Sequence, residues 1–289
     1  MRSALAVDIG GTKLAAGVVD AQGSIVARVE MPTPVTDDRE RLWSALAELI
    51  GSLPPDLRRD AAVVGVGCGG PMSRGGELVS PLNIPAWRGF PLRDRLATLT
   101  GLAVHVDNDA KALALGEGWV GAARGERNFI AMVVSTGVGG GIVLDGRLLD
   151  GAAGNAGHIG HVIVVPYGRR CVCGARGCLE AEASGSAIRA MTGRPPREAP
   201  RQVVERTGAL VGRAVGSVVN LLDLPLAVVA GSVALGFGEP FFEAAQSELD
   251  SVACLEFARG ARIVPAGLGA DGPLVGAAAV ARVAVLDHT

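Results

Sequence analysis

A few short stretches of the 289-residue chain group residue types that can do chemistry together. Asp8-Ile9-Gly10-Gly11-Thr12-Lys13 brings a carboxylate, two glycines, a hydroxyl and an ammonium into one turn. Glycines let backbone N–H groups approach an anion with no Cβ in the way, and an acidic residue beside them can hold a hydrated Mg²⁺. The same residues would equally serve as a plain hairpin turn. Ser135-Thr136-Gly137-Val138-Gly139-Gly140-Gly141 repeats the pattern later in the chain, and successive glycines between strands weaken a structure that has no need of close approach.

His161, Cys171, Cys173 and Cys178 supply a Cys₃His donor set within a short span, with Gly174 and Gly177 allowing the chain to wrap tightly around one ion. That set suits tetrahedral Zn²⁺ with every protein position filled, a closed structural site that fastens a loop. Cys68 and Cys254 remain, and both read as core thiols. Asp107-Asn108-Asp109 joins a strand to a helix. Either aspartate could cap that helix, or present a carboxylate to a ligand at the C-terminal end of a parallel strand; spacing does not choose between them. Gly65-Val66-Gly67-Cys68-Gly69-Gly70 fits a dinucleotide fingerprint, but Pro71 and Gly75-Gly76 follow where that motif needs a helix. No G-x-x-x-x-G-K-[ST] sequence occurs, so a bound nucleotide would use another cradle.

The positions of these groups depend on elements read from periodicity. The N-terminus predicts a three-strand meander over 4–7, 14–19 and 25–29. Helix 39–50, strand 61–66, helix 91–100 and strand 103–106 follow, implying a largely parallel sheet. The order then restarts with a strand at 129–134, a glycine turn at 137–141 and strands at 142–144 and 162–165. Helices at 181–191 and 201–222, strand 226–230, helix 240–254 and strand 263–264 complete it. Two halves of similar topology, each opening with a strand and a glycine hairpin, suit a ligand with phosphates at its centre. His105 is expected on the sheet surface with no chemical role, and His288-Thr289 as a frayed tail.

Composition narrows the partners. Hydrophobic residues make up 49%, and 27 basic against 29 acidic residues give a net charge of -2 with no like-charge run, so neither nucleic acid nor an anionic membrane is an expected partner. No signal peptide is recognised, no apolar stretch reads as long enough to span a bilayer, and a cytoplasmic location is expected. Lys13 and Lys111 are the only lysines; Lys111 is read as a solvated side chain.

Taken together, these motifs resemble the ROK family of sugar kinases and regulators, within the actin-like, hexokinase-type ATPase fold. The resemblance runs from Asp8 to Gly276-Ala277-Ala278 and is most specific at Gly160-His161 and Cys171-x-Cys173-Gly174-x-x-Gly177-Cys178-x-Glu180. It implies an α/β chain of two actin-like (ribonuclease H-like) domains with a central interdomain cleft: a small domain over 1–107 plus 272–289, and a large one over 108–271 carrying the zinc loop. By the same resemblance Asp8, Gly10, Gly11, Thr12, Lys13, Thr136, Gly137 and Gly139 serve ATP·Mg²⁺, and Gly231 lies by the adenosine. Asn108 would hold a sugar hydroxyl, Asp109 would be the general base, and Asn83, His158, His161 and Glu180 would touch the sugar.

One departure stands out. Family kinases usually carry Glu-x-Gly-His where this chain reads His158-Ile159-Gly160-His161. Histidine donates as well as accepts, so it could bind a hydroxyl or the carbonyl of an N-acetyl group. The resemblance therefore implies an ATP-dependent hexose kinase acting on the C6 hydroxyl, with glucose first among acceptors and N-acetylmannosamine or N-acetylglucosamine as the alternative. A sugar-sensing regulator is the other alternative, for which the stretch before Asp8 leaves no room for a helix-turn-helix. A homodimer or homotetramer is the family default.

Overall fold

The computed structural model describes residues 3–286, so His288 and Thr289 lie outside the described residues. The chain forms two compact units. The first holds residues up to Gly121, then Asp150–Ala156, then Leu268 onward; the second holds Ala122–Leu149 and Gly157–Gly267.

In the first unit, strands β1 (Ser3–Ile9), β2 (Lys13–Val19) and β3 (Ile25–Pro32) are the expected meander, and β4 (Ala61–Cys68) and β5 (Val104–Asn108) extend the sheet in the order β3-β2-β1-β4-β5. The pairs β1/β2 and β2/β3 are antiparallel, whereas β1/β4 and β4/β5 are parallel. The sheet is thus mixed, not largely parallel, because each tight glycine hairpin can only return an antiparallel neighbour. Helices α1 (Arg39–Gly51), α2 (Pro55–Asp60), α3 (Leu92–Thr100) and α4 (Asp109–Val120) belong to this unit. One face of the sheet is covered by Leu42, Leu46, Trp87, Phe90 and Leu96.

In the second unit, β6 (Phe129–Val134), β7 (Val138–Leu144) and β8 (Arg147–Leu148) form a second meander, and β9 (Leu226–Ala230) and β10 (Arg262–Pro265) complete the order β10-β9-β6-β7-β8. With β6/β9 and β10/β9 parallel, this sheet has the topology of the first. Helices α5 (Leu179–Ala183), α6 (Gly185–Thr192), α7 (Arg201–Leu222), α8 (Ser232–Phe237) and α9 (Glu239–Val252) surround it. Its core includes Met132, Val211, Val215 and Phe241.

The final helix, α10 (Gly272–Leu286), packs on the first sheet through Leu274, Ala277, Ala278 and Ala281. Residues 269–286 are long and apolar enough to cross a membrane, contrary to the sequence reading, but half of that window is buried, as in a core helix. The sequence-derived division at 107 and 272 also differs from the observed one: α4 stays in the first unit, where Gly116 lies directly against Gly276 of α10.

Other expectations are corrected. Gly139, Gly140 and Gly141 lie in β7, paired with Val133, Met132 and Ala131, so the turn is confined to Ser135–Gly137. Residues 162–165 form no strand; a single bridge joins Ile163 to Cys178. The helix expected over 181–191 breaks at Ser184, whose hydroxyl accepts the Ala187 N–H and caps α6. Cys254 is exposed, not in the core, whereas Cys68 is buried.

Candidate functional site

In the first unit the C-terminal ends of β1, β4 and β5 lie side by side, with Asp8 opposite Gly67 and Gly67 opposite Asp107. Gly67 lies between the two acidic positions: a Cβ there would sit 3.6 Å from Asp8 Oδ1 and 3.7 Å from Asp109 Cα. The Asp8 carboxyl is pushed up to about 7, mainly by burial and further by the negative charge of Asp109, with Lys13 and Arg28 opposing. A half-buried carboxylate that feels the charge of a second one is a group that a divalent cation would favour in its ionised form.

The turn after β1 is closed by the Gly10 N–H donating to the Lys13 carbonyl and braced by Thr33, whose hydroxyl donates to Gly10 O at 2.7 Å. Gly11 is needed for close approach: a Cβ there would stand 2.6 Å from the Cβ of Asn83. The loop bearing Asn83 therefore rests on the glycine turn itself. Thr12 is exposed, and the Lys13 ammonium pairs with Glu30 on β3 at 3.3 Å.

The β5–α4 junction separates the two aspartates that spacing left equivalent. The Asp107 carboxylate accepts the Asn108 N–H at 2.7 Å and pairs with Lys111 Nζ at 3.0 Å. Burial pushes Asp107 up, with Lys111 opposing. Asn108 is the N-cap, its Oδ1 accepting the Ala110 N–H at 3.0 Å. Asp109, in the first turn of α4, is exposed and accepts the same N–H at 2.8 Å. Lys111 is not solvated: its side chain is 3% exposed and its ammonium also reaches Asp150 at 2.7 Å. Nothing in the sequence marked Asp150 as its partner.

In the second unit, the Ser135 N–H donates to Gly137 O, and Glu180 Oε2 accepts the Val138 N–H at 2.9 Å. Glu180, expected on the sugar, thus also braces the second glycine turn. Thr136 O accepts from Ser186 at the start of α6, and the Ser135 and Ser232 hydroxyls lie 2.9 Å apart. Ser232 opens α8 directly after Gly231, which is the N-cap at φ 101°. Gly139 stands inside β7, off the turn.

The cysteine cluster forms as expected. The ligand atoms of His161, Cys171, Cys173 and Cys178 all lie within 4.8 Å of one another, with Cys171 Sγ 3.7 Å from His161 Nδ1 and Cys173 Sγ 3.6 Å from Cys178 Sγ. Ligands about 2.3 Å from a tetrahedral zinc would stand about 3.7 Å apart, so the donor set fits that ion. The Ala175 backbone lowers Cys173, while burial and the neighbouring thiols push Cys178 up to about 12, which is the conflict a cation resolves. Gly177, at φ 75°, passes so close to Val165 that a Cβ would fall on its carbonyl. Buried Glu182 holds the same loop by accepting the Arg169 N–H at 2.7 Å and pairing with Arg206 at 2.6 Å. The exposed His158 ring lies beside that of His161, centroids 5.9 Å apart.

The first unit thus gathers Asp8, the 10–13 turn, Asn83, Asn108 and Asp109; the second gathers Thr136, Gly137, Gly231, Glu180, His158, His161 and the thiols. A ROK family model matches residues 4–284. The chain is 33% identical to a glucokinase of Thermotoga maritima across 96% of both proteins, and 39% identical to an N-acetylmannosamine kinase of Citrobacter koseri across 82% of this chain and 85% of the relative. Its fold is similar to a ROK hexokinase from Thermus thermophilus (TM-score 0.86, 36% identity, 99% of each chain). It is also similar to a ROK family glucokinase from Streptomyces griseus in complex with glucose and AMPPNP (TM-score 0.84, 31% identity, 97% of this chain and 99% of that one). The paired five-stranded mixed sheets are therefore those of the actin-like ATPase fold.

Proposed function

The chain belongs to the ROK family, and from that premise we propose that it is an ATP-dependent hexose kinase that phosphorylates the C6 hydroxyl of glucose. The observation that carries this reading is the exposed Asp109 carboxylate set beside the half-buried Asp8 and its glycine turn at adjacent strand ends. Asp107 is committed to Lys111, which leaves Asp109 to act as base. In this reading Asp109 takes the proton of the C6 hydroxyl, whose oxygen forms a bond to the γ-phosphorus as the bond to the ADP oxygen breaks. Positioning and charge cancellation supply most of the acceleration, the base adding about 10²- to 10⁴-fold.

The backbone N–H groups of Gly11 and Thr12 in the first unit and of Thr136 and Gly137 in the second are the ones assigned to phosphate oxygens, those of Gly10 and Ser135 being spent within their turns, and the stretch through Gly231 borders the adenosine. Asp8 would hold Mg²⁺, which offsets phosphate charge when bound. By the family resemblance Asn108 and Asn83 in the first unit bind sugar hydroxyls, and His158, Glu180 and His161 in the second unit carry the same assignment. His161 Nδ1 lies among the thiols, which leaves Nε2 for the sugar. Zinc held by His161, Cys171, Cys173 and Cys178 would fasten their loop without taking part in the chemistry.

His158 favours a second reading in which the acceptor is an N-acetylhexosamine, since an imidazole N–H can donate to an acetamido carbonyl where the family's usual glutamate can only accept. A coupled ADP-release assay across glucose, mannose, fructose, N-acetylmannosamine and N-acetylglucosamine decides between them. Asp109→Asn is expected to keep sugar affinity and abolish turnover; turnover near the wild-type rate refutes the base assignment. Tight sugar binding with no ADP release from any acceptor would establish a sensor instead.

A further inference from the structure

We propose that Lys111 is a positioning residue for this reaction: its ammonium fastens the 150–156 segment to the β5–α4 junction, so that this loop and the Asn108–Asp109 pair present one rigid surface to the acceptor sugar. The inference rests on the kinase reading above. Lys111 Nζ lies 3.0 Å from Asp107 Oδ1, 2.7 Å from Asp150 Oδ1 and 3.3 Å from the Gly154 carbonyl, so each of its three N–H groups has an acceptor. Asp107 immediately precedes Asn108 and Asp109, and both other partners lie in a loop closed by the Ala156 N–H donating to Asp150 O at 2.9 Å.

That segment belongs to the first unit although the chain on either side of it belongs to the second. It leads, two residues beyond Ala156, to His158. The ammonium is a polar link that ties the loop to α4.

Two further facts make this more than a packing detail. Arginine supplies 25 of the 27 basic residues, yet this buried position carries one of the two lysines. A compact ammonium can direct three N–H groups along diverging lines to two carboxylates and a carbonyl, which a planar guanidinium cannot do in the same space. Secondly, burying an ammonium between carboxylates contributes little net stability compared with apolar packing, so stability alone does not account for it.

The test is a panel of Lys111→Met, Lys111→Arg and Asp150→Ala, read by steady-state kinetics and by hydrogen exchange of the 150–156 amides. Asp150→Ala removes an exposed partner and guards against loss of folding in the Lys111 variants. Faster exchange at 150–156 is expected, with kcat/KM for the sugar lowered about ten- to a hundred-fold and KM for ATP within about two-fold of wild type. Lys111→Arg is expected not to restore the sugar parameters. The proposal is overturned if exchange quickens while sugar kcat/KM stays near wild type, if sugar and ATP parameters fall together, or if the arginine variant rescues both. Asp109→Asn runs alongside: if it turns over normally the base assignment fails, and the exchange data still report on the tether.

Discussion

Replacing Asp8 by asparagine should abolish a pH dependence that burial imposes on the first unit. The Asp8 carboxyl is raised from 3.8 to about 7 by burial, with the Asp109 charge adding to it. A raised carboxyl favours the fold only while protonated, so its contribution is complete below about pH 3.8 and is lost as pH climbs through about 7. At 1.36 kcal/mol per pH unit, the whole loss is about 4 kcal/mol, of which about 2–3 kcal/mol falls between pH 5 and pH 8. Asparagine cannot ionise, so the variant should gain on the wild type by about 2–3 kcal/mol over that interval. Urea unfolding without added Mg²⁺ or nucleotide measures it, followed by tryptophan fluorescence. Trp43, Trp87 and Trp119 all lie in the first unit, so the signal belongs to the unit that contains Asp8. Parallel stability curves for the two proteins from pH 5 to pH 8 would refute the reasoning.

The remaining predictions concern the thiol cluster and the glycine turn that follows Asp8. Stripping metal from the His161–Cys171–Cys173–Cys178 cluster with a chelator should lower the melting temperature by at least about 5 °C and be reversed by Zn²⁺, because the binding free energy of a closed site is folding free energy. An unchanged melting curve, with no zinc found by elemental analysis, would exclude a structural ion. Gly11→Ala would place a Cβ 2.6 Å from that of Asn83, displacing a loop that the family resemblance assigns to the sugar. Sugar KM should therefore rise about ten-fold together with ATP KM, since about 1–3 kcal/mol of overpacking falls on both loops. A rise in ATP KM alone would show that the Asn83 loop does not serve the sugar.

Much of this architecture was legible from local signals. The first glycine turn, the first meander and the 201–222 helix follow from periodicity, and the thiol spacing foretold a cluster whose members gather within 4.8 Å. Where reading failed, the deciding interaction was distant or the residue ambiguous. Lys111 reads as solvated because Asp150 and the Gly154 carbonyl, which enclose its ammonium, lie 39 and 43 positions away, while Asp107 four residues before it suits a surface helix pair equally well. Gly139–Gly141 suit a turn or a strand equally, and pairing with Ala131–Val133 decides for the strand. Val162–Val165 has strand composition, but its neighbours are loop backbone: Val164 and Val165 both donate to Gly177 O, so no ladder forms. Cys254 looked apolar by type, yet it falls at the end of α9 where the chain turns out to solvent.

The two aspartates of the β5–α4 junction show why residue type and spacing could not assign the chemistry. By type and spacing either could cap the helix or present a carboxylate at the strand end, whereas in the structure Asp107 lies in β5, Asn108 is the N-cap and Asp109 opens α4. What separates them is the ammonium of Lys111, which pairs with Asp107 at an i,i+4 spacing and is decisive because the Lys111 side chain is buried. By engaging Asp107 it makes that carboxylate a structural anion, and the helix start then presents Asp109 at the surface, where its charge is felt by Asp8 across Gly67. The same contact therefore selects the base and anchors the loop that leads to His158. A substitution at Lys111 would disturb both, which is why sugar kinetics and loop exchange should change together in its variants while the ATP parameters, set by the glycine turns, do not.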